Sequence, residues 1–165
     1  MRSVWALAAM AARSVLTAST ITLAGEPKQG GILRIYHRDS PANASILEGA
    51  TYSVNVPFMG VFNNLVIYDQ HMAQNSPDTI RPELAESWSW SSDNKKLTFK
   101  LRQGVKWHDG KPFTSADVKC SFDLLMGKSQ QKLRQNPRKS WYNEVNEVTP
   151  NGDFEVSFEL KRPQP

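Results

Sequence analysis

Two linked stretches decide the architecture of this chain: Pro82-Glu83-Leu84-Ala85-Glu86-Ser87-Trp88, and Leu97-Thr98-Phe99-Lys100-Leu101-Arg102-Gln103-Gly104-Val105-Lys106-Trp107-His108-Asp109-Gly110-Lys111-Pro112-Phe113-Thr114. Leu97, Phe99 and Leu101 fall on one face of an extended chain, and the cations alternate with them on the other. That is the period-2 pattern of a half-exposed strand. Trp88-Ser89-Trp90 opens a hairpin with it, and Ser91-Ser92-Asp93-Asn94 supplies the turn. Asp109-Gly110 marks a second turn. Thr114 is a good N-cap, and Asp117 lies in the first helical turn, where the helix dipole favours a carboxylate. Val118, Phe122 and Leu125 then make a buried helical stripe, which Gly127 is placed to end.

Upstream, Val66-Ile67-Tyr68-Asp69 reads as a short strand ending in a turn. Over residues 54–65, Val54, Phe58, Val61, Phe62 and Leu65 recur at helical spacing, with Pro57 marking the helix start. Residues 70–82, polar and bounded by Pro77 and Pro82, read as a loop. Gly30-Gly31 opens Ile32-Leu33-Arg34-Ile35-Tyr36, a nearly continuous apolar run expected to be a strand covered on both faces. Asp39-Ser40-Pro41 then starts a loop to about Ser53.

Downstream, residues 144–149 and 154–160 flank the turn Pro150-Asn151-Gly152-Asp153 as a second hairpin. Phe154, Val156, Phe158 and Leu160 alternate there with Glu155, Ser157 and Glu159. Residues 128–139 are basic and polar. A phosphate-contacting stretch is one reading, and a solvated helix or loop is the favoured one. Lys161-Arg162-Pro163-Gln164-Pro165 carries no capping signal and reads as the middle of a longer protein.

The 165 residues are 39% hydrophobic and 22% charged, which suits a globular domain with a core. The formal charge of +4 includes Arg2 and Arg13 near the start; removing them leaves 18 basic against 16 acidic residues, a net of +2. So small an excess does not point to nucleic acid. Cys120 is the single cysteine, so no intrachain disulfide can form. Residues 1–25 have an early Arg2, apolar and small residues, no Asp or Glu, and a small-x-small step at Thr22-Leu23-Ala24. They resemble a secretory signal interrupted by Arg13. A start at Met10 would remove much of that irregularity, and a mitochondrial-type presequence is the competing reading. No later stretch has the roughly 18 apolar residues needed to span a membrane.

Residues that carry chemistry are sparse. There is no G-x-S-x-G, P-loop, G-x-G-x-x-G or H-E-x-x-H pattern. Cys120 and His108 could form a nucleophile–base pair, but a small residue on a helix explains Cys120 better. His37, His71 and His108 lack ligand spacing. Trp88, Trp90, Trp107, Trp141 and Tyr142 could stack on a solute, although most such residues are core or half-core.

The P-x-L-A-E-S-W step, the hairpin, and the L-R-x-G-V-K-W-H-D-G-x-P-F-T run together resemble the family 5 extracellular solute-binding proteins of ABC importers. Gly30-Gly31-Ile32-Leu33, the junction from Val61 to Asp69, and Asp117-Val118 agree with the same family. The resemblance implies an α/β fold: the N-terminal part of a two-lobed, type II periplasmic binding protein-like domain, incomplete here, with a mixed sheet, hairpins and helices. It implies a leader over residues 1–25 and a partial N-terminal lobe over residues 26–165. The implied role is non-catalytic capture of a peptide or similar small solute in the periplasm, for delivery to ABC transporter permease subunits. Contact with the membrane complex would be peripheral, and neither a cofactor nor nucleic acid is expected. A nickel or metal-complex carrier of the same fold, and a small basic interaction protein, are the alternatives.

Most of the signature reads as structural: Trp88 and Trp107 packing under the hairpin, Gly104 and Gly110 in turns, Thr114 as a cap. Glu48, Gly49 and Ala50 resemble a Glu-Gly-hydrophobic step that approaches bound peptide in the oligopeptide-binding branch. Trp141 and Tyr142 are placed at the border of the cleft. If residues 1–25 are an export signal, periplasmic material will show cleavage near Ala24 by mass spectrometry. An intact Met1 in a cytoplasmic fraction would contradict export.

Overall fold

A computed structural model describes residues 29–37 and 39–164, so the expected leader over residues 1–25 lies outside the described residues. The chain divides into two units, residues 1–35 and 36–165. Of the first unit, residues 29–35 are described and hold no helix or strand. The strand expected over residues 32–36 is therefore not formed. Ile32, Leu33, Ile35 and Tyr36 are 80–89% exposed. A strand exists only through pairing, and both sheets of the structure are built from other segments.

The second unit contains helices α1 (Tyr52–Phe58) and α2 (Ser115–Met126) and strands β1 (Val66–Tyr68), β2 (Ile80–Pro82), β3 (Ala85–Trp90), β4 (Lys96–Leu101), β5 (Val145–Pro150) and β6 (Glu155–Leu160). β1 and β2 form a two-stranded sheet, and the other four strands form a sheet in the order β3-β4-β6-β5, with every described pairing antiparallel.

Both expected hairpins are present. In the first, the Asp93 carboxylate accepts from the Ser91 hydroxyl (2.6 Å) and the Lys95 amide (3.2 Å). These bonds, the Ser91 hydroxyl first, hold its pKa below the usual value. Asn94 takes a left-handed φ of 53°, which asparagine tolerates better than most residues. Across the second connection, Lys106 bridges Pro112, with Gly110 at φ 85° in the turn.

α2 begins and ends where its sequence signals lie. The Thr114 amide donates to Asp117 Oδ2 (2.8 Å), and Gly127 ends the helix at φ 74°. The helix start is also tied to the second hairpin's turn: the Ser115 amide donates to the Asp153 carbonyl (2.8 Å) and the Ser115 hydroxyl to the Gly152 carbonyl (2.5 Å). α2 lies across β5 and β6. Between them the core gathers Phe99, Leu101, Val118, Met126, Val148, Val156 and Phe158. Phe158 sits at its centre, edge to face with Phe122 of α2 (4.7 Å) and with Phe99 of β4 (5.5 Å).

Two further expectations are corrected. The first helix ends at Phe58 instead of continuing to Leu65, and Pro57 lies near its end, not at its start. Proline there leaves one amide missing from the helical ladder, so little holds a further turn. Only Val54 is buried on α1, while Met59, Val61 and Phe62 are 46–68% exposed. The supposed loop over residues 70–82 contains a 3₁₀ turn, Pro77–Thr79, and then β2, which pairs Val66 with Pro82 and Tyr68 with Ile80. Arg81 also reaches Asp69 at 3.3 Å.

The Phe158→Ala variant is expected to lose about 3–5 kcal/mol of stability, the usual cost of removing a buried phenylalanine. Thermal or denaturant melts would measure it, and a loss under about 1 kcal/mol would show that the core has its centre elsewhere.

Candidate functional site

The segment carrying Glu48, Gly49 and Ala50 is a turn that precedes α1. The Glu48 and Gly49 amides both donate to the Ser45 carbonyl, at 3.2 and 2.9 Å. Gly49 is required by close approach: a Cβ there would lie 2.6 Å from Cγ1 of the buried Val54. Ala50 is exposed.

The basic stretch of residues 128–139 closes on this turn. Arg134 donates to the Glu48 carboxylate from its backbone amide (2.7 Å to Oε1), its Nε (3.1 Å to Oε2) and its Nη2 (2.7 Å to Oε2). The Glu48 side chain is only 13% exposed, against 78% for Arg134. The Arg134 side-chain bonds lead in holding the Glu48 carboxyl below its ordinary value and in raising the Arg134 guanidinium. Asn43, Glu48, Arg134 and Gln135 line a polar depression of about 260 Å³.

One turn further on, the Arg138 guanidinium donates to the Ile46 carbonyl, the Gly49 carbonyl (3.0 Å) and Asn55 Oδ1 (2.8 Å). Its Cζ also lies 5.7 Å from the centroid of the Trp141 ring. Trp141 belongs to a 3₁₀ turn, Lys139–Tyr142, and is 72% exposed. Tyr142 of the same turn points elsewhere, packing edge to face on Phe122 at 5.6 Å.

The structure thus links Gly49 to Trp141 through Arg138 and Glu48 to Arg134, leaves Ala50 exposed, and sets Tyr142 against the core. Sequence reasoning did not single out Arg134 or Arg138. The density of cations in 128–139 was the one available signal, but it did not reveal their partners. The stretch is largely an exposed loop, as favoured above, in which several cations are also bonded to carbonyls. Lys128 donates to the Asn146 carbonyl, and Lys132 to the Gly127 and Ser129 carbonyls (2.7 and 2.6 Å).

The other candidates lie in the scaffold or at the surface. Trp88 is half-buried against Phe99 (6.4 Å). Trp107 does not pack under the hairpin as expected: it is 47% exposed, with one side against Phe113, because it sits on the connection carrying the Asp109-Gly110 turn. Trp90 is 45% exposed, and Cys120 faces solvent on α2. Among the described residues, no three His, Cys, Asp or Glu side chains stand together in a way that could hold a metal ion. No helix among them is long and apolar enough to cross a membrane.

The described residues thus form an antiparallel sheet covered by one helix, with a polar depression between the 43–48 turn and residues 134–135. Residues 79–165, more than half of the chain, match the middle region of the bacterial extracellular solute-binding proteins, family 5, and the chain belongs to that family. It is 38% identical over 90 residues to the dipeptide-binding protein of Escherichia coli (strain K12), covering 54% of this chain and 15% of that protein. It is 29% identical over 138 residues to the oligopeptide-binding protein AppA of Bacillus subtilis (strain 168), covering 84% of this chain and 24% of that protein. Among solved structures, the periplasmic solute-binding protein MoaA of A. tumefaciens R10, in complex with mannopinic acid, superposes with a TM-score of 0.62 at 26% identity, over 76% of this chain and 25% of that one. The fold is accordingly part of a type II periplasmic binding protein domain, and the chain spans a quarter or less of the length of these relatives.

Because the folded Glu48 pKa lies below its ordinary value of 4.5, the pair's contribution is fully present above that value. It is lost as pH falls below it and through the lower folded pKa. An NMR titration of the Glu48 carboxyl should show a lower midpoint in the native chain than in Arg134→Ala. Equal midpoints would mean that the Arg134 pair does not persist in solution.

Proposed function

We propose that this chain is part of a non-catalytic solute-binding subunit of an ABC importer, one that captures peptides or peptide-like solutes in the periplasm and passes them to permease subunits. The observation that carries this reading is the 38% identity to a dipeptide-binding protein over 90 residues. The likeness to an oligopeptide-binding protein over 84% of the chain supports it. Family membership favours export, with residues 1–25 as the signal.

Glu48, Gly49, Ala50, Trp141 and Tyr142 are the proposed solute-facing residues, and their settings assign them different parts. Ala50 and Trp141 are exposed and could take contact directly: main chain beside a small side chain, and an aromatic face for an apolar or cationic group. Glu48 is held by Arg134, so a cationic solute group would have to compete with a guanidinium for it. Gly49 keeps the turn close to α1. Tyr142 anchors the aromatic turn on α2 through Phe122. Peptide recognition by main-chain hydrogen bonds and a few exposed faces tolerates many side chains, as a broad importer requires.

Solute enclosed between two lobes is dry, whereas a single open surface leaves each hydrogen bond worth only about 0.5–1.5 kcal/mol. Association also costs several kcal/mol. Calorimetry against a pool of di- to pentapeptides is therefore expected to show no micromolar binding by the 165 residues alone. Binding should appear when residues 29–164 replace the matching segment of a full-length family member. A folded chimera that binds none of the pool would refute the peptide assignment.

A further inference from the structure

The geometry points to Arg138 as a positioning residue that bridges the 46–50 turn and Trp141 and thereby sets the spacing of the solute-facing surface. This inference rests on the solute-binding reading above and adds to it a residue that touches no solute. Three acceptors from two segments, the Ile46 and Gly49 carbonyls and Asn55 Oδ1, converge on one guanidinium, which also lies over the Trp141 ring. The acceptors are 83 to 92 residues away in sequence, so no local turn chemistry could hold the two segments together.

Arg138 is half-buried, as are Ile46, Gly49 and Asn55. Carbonyls in such settings need a donor, and a planar fork with five N–H groups can serve several at once where a lysine ammonium cannot keep the same geometry. Arg134 contributes differently. It is exposed, and its partner is a carboxylate, so its link to Glu48 can be broken by acid or salt. The Arg138 links are to neutral groups and contain no titratable partner. The segment is thus held by one electrostatically adjustable contact and one that is not.

The test uses Arg138→Ala, Arg138→Lys and Asn55→Ala in the full chain, with two readouts that need no ligand. The first is hydrogen exchange at the Glu48 and Gly49 amides, both bonded to Ser45. The second is the Trp141 indole N–H resonance, assigned by its loss in Trp141→Phe. In Arg138→Ala, exchange at both amides is expected to rise about tenfold or more, as for the loss of a charged hydrogen bond. The indole resonance should shift, and core amides of β6 should keep their protection. Arg138→Lys and Asn55→Ala should move the same signals in the same direction by less, and they decide the matter if the alanine variant does not fold. Unchanged exchange and an unchanged indole signal would overturn the proposal.

Peptide affinity of the chimera separates positioning from mere bracing. Arg138→Ala should weaken it at least about tenfold with the melting temperature held, and unaltered affinity despite faster exchange would also overturn the proposal. Absence of binding by the unsubstituted chimera would instead count against the solute reading, leaving the two ligand-free readouts to decide whether Arg138 forms the bridge.

Discussion

The insertion of β6 between β4 and β5 is the constraint on which the rest of this unit depends. β3 and β4 alone would be a two-stranded hairpin, which is marginal in water. β6 supplies Val156 and Phe158 to the inner face and pairs on both sides, with Phe99 opposite Val156 and Val148 opposite Phe158. Phe158 touches an aromatic ring on β4 and another on α2, so a single side chain couples the first hairpin, the second hairpin and the helix. On the opposite face Ser157, only 3% exposed, bonds Thr98 (3.0 Å) and Asn151 (2.8 Å), so that burying a hydroxyl leaves no unpaired group.

Within that frame the family signature is scaffold. Glu83 accepts from the Asn63 side chain and the Asn64 amide, both at 2.7 Å, and so ties the end of the first segment to the start of β3. The Ala85 amide continues the link to the Leu65 carbonyl, and Ala85 itself is fully buried. Gly104 and Gly110 take positive φ in the turns. The basic stretch that follows α2 is scaffold for a different reason. The last carbonyls of a helix lack intrahelical donors, and here the Asn136 side chain donates to the Leu125 carbonyl (2.7 Å) while Lys132 serves that of Gly127. A cation-rich segment directly after a helix can therefore be read as a cap before it is read as a surface for anions.

What the sequence disclosed follows from where the determining forces are local. Alternation in β4, the Thr114–Asp117 cap and the Gly127 stop each arise within a few residues, and each is found in place; in β6, flanked by a strand on each side, Val156, Ser157 and Phe158 are all buried instead. β2 was hidden because its two bounding prolines read as loop punctuation, although Pro82 sits at a strand end where a missing amide costs nothing. The run from Ile32 to Tyr36 misled in the opposite way: its composition suits a strand, but pairing is a property of two segments. The same holds for the site. Resemblance pointed to Glu48 and Gly49, whereas Arg134 and Arg138 are joined to them across more than 80 positions, by contacts to backbone carbonyls and a carboxylate that no periodicity encodes.

This separation of scaffold from surface bears on how such a domain can serve different solutes. The sheet, its helix and the signature turns are locked by buried apolar contacts and hydrogen bonds that leave little room for substitution. The 43–55 segment and the Lys139–Tyr142 turn lie at the edge of that core, fastened by arginines to carbonyls and one carboxylate. Backbone carbonyls are present whatever side chains surround them, so an anchor that grips carbonyls leaves Ala50 free to vary without loosening the turn, whereas Trp141 is itself in contact with Arg138. On the proposed reading, change at Ala50 or Trp141 would alter what a solute meets, and change at Arg138 would alter where it meets it.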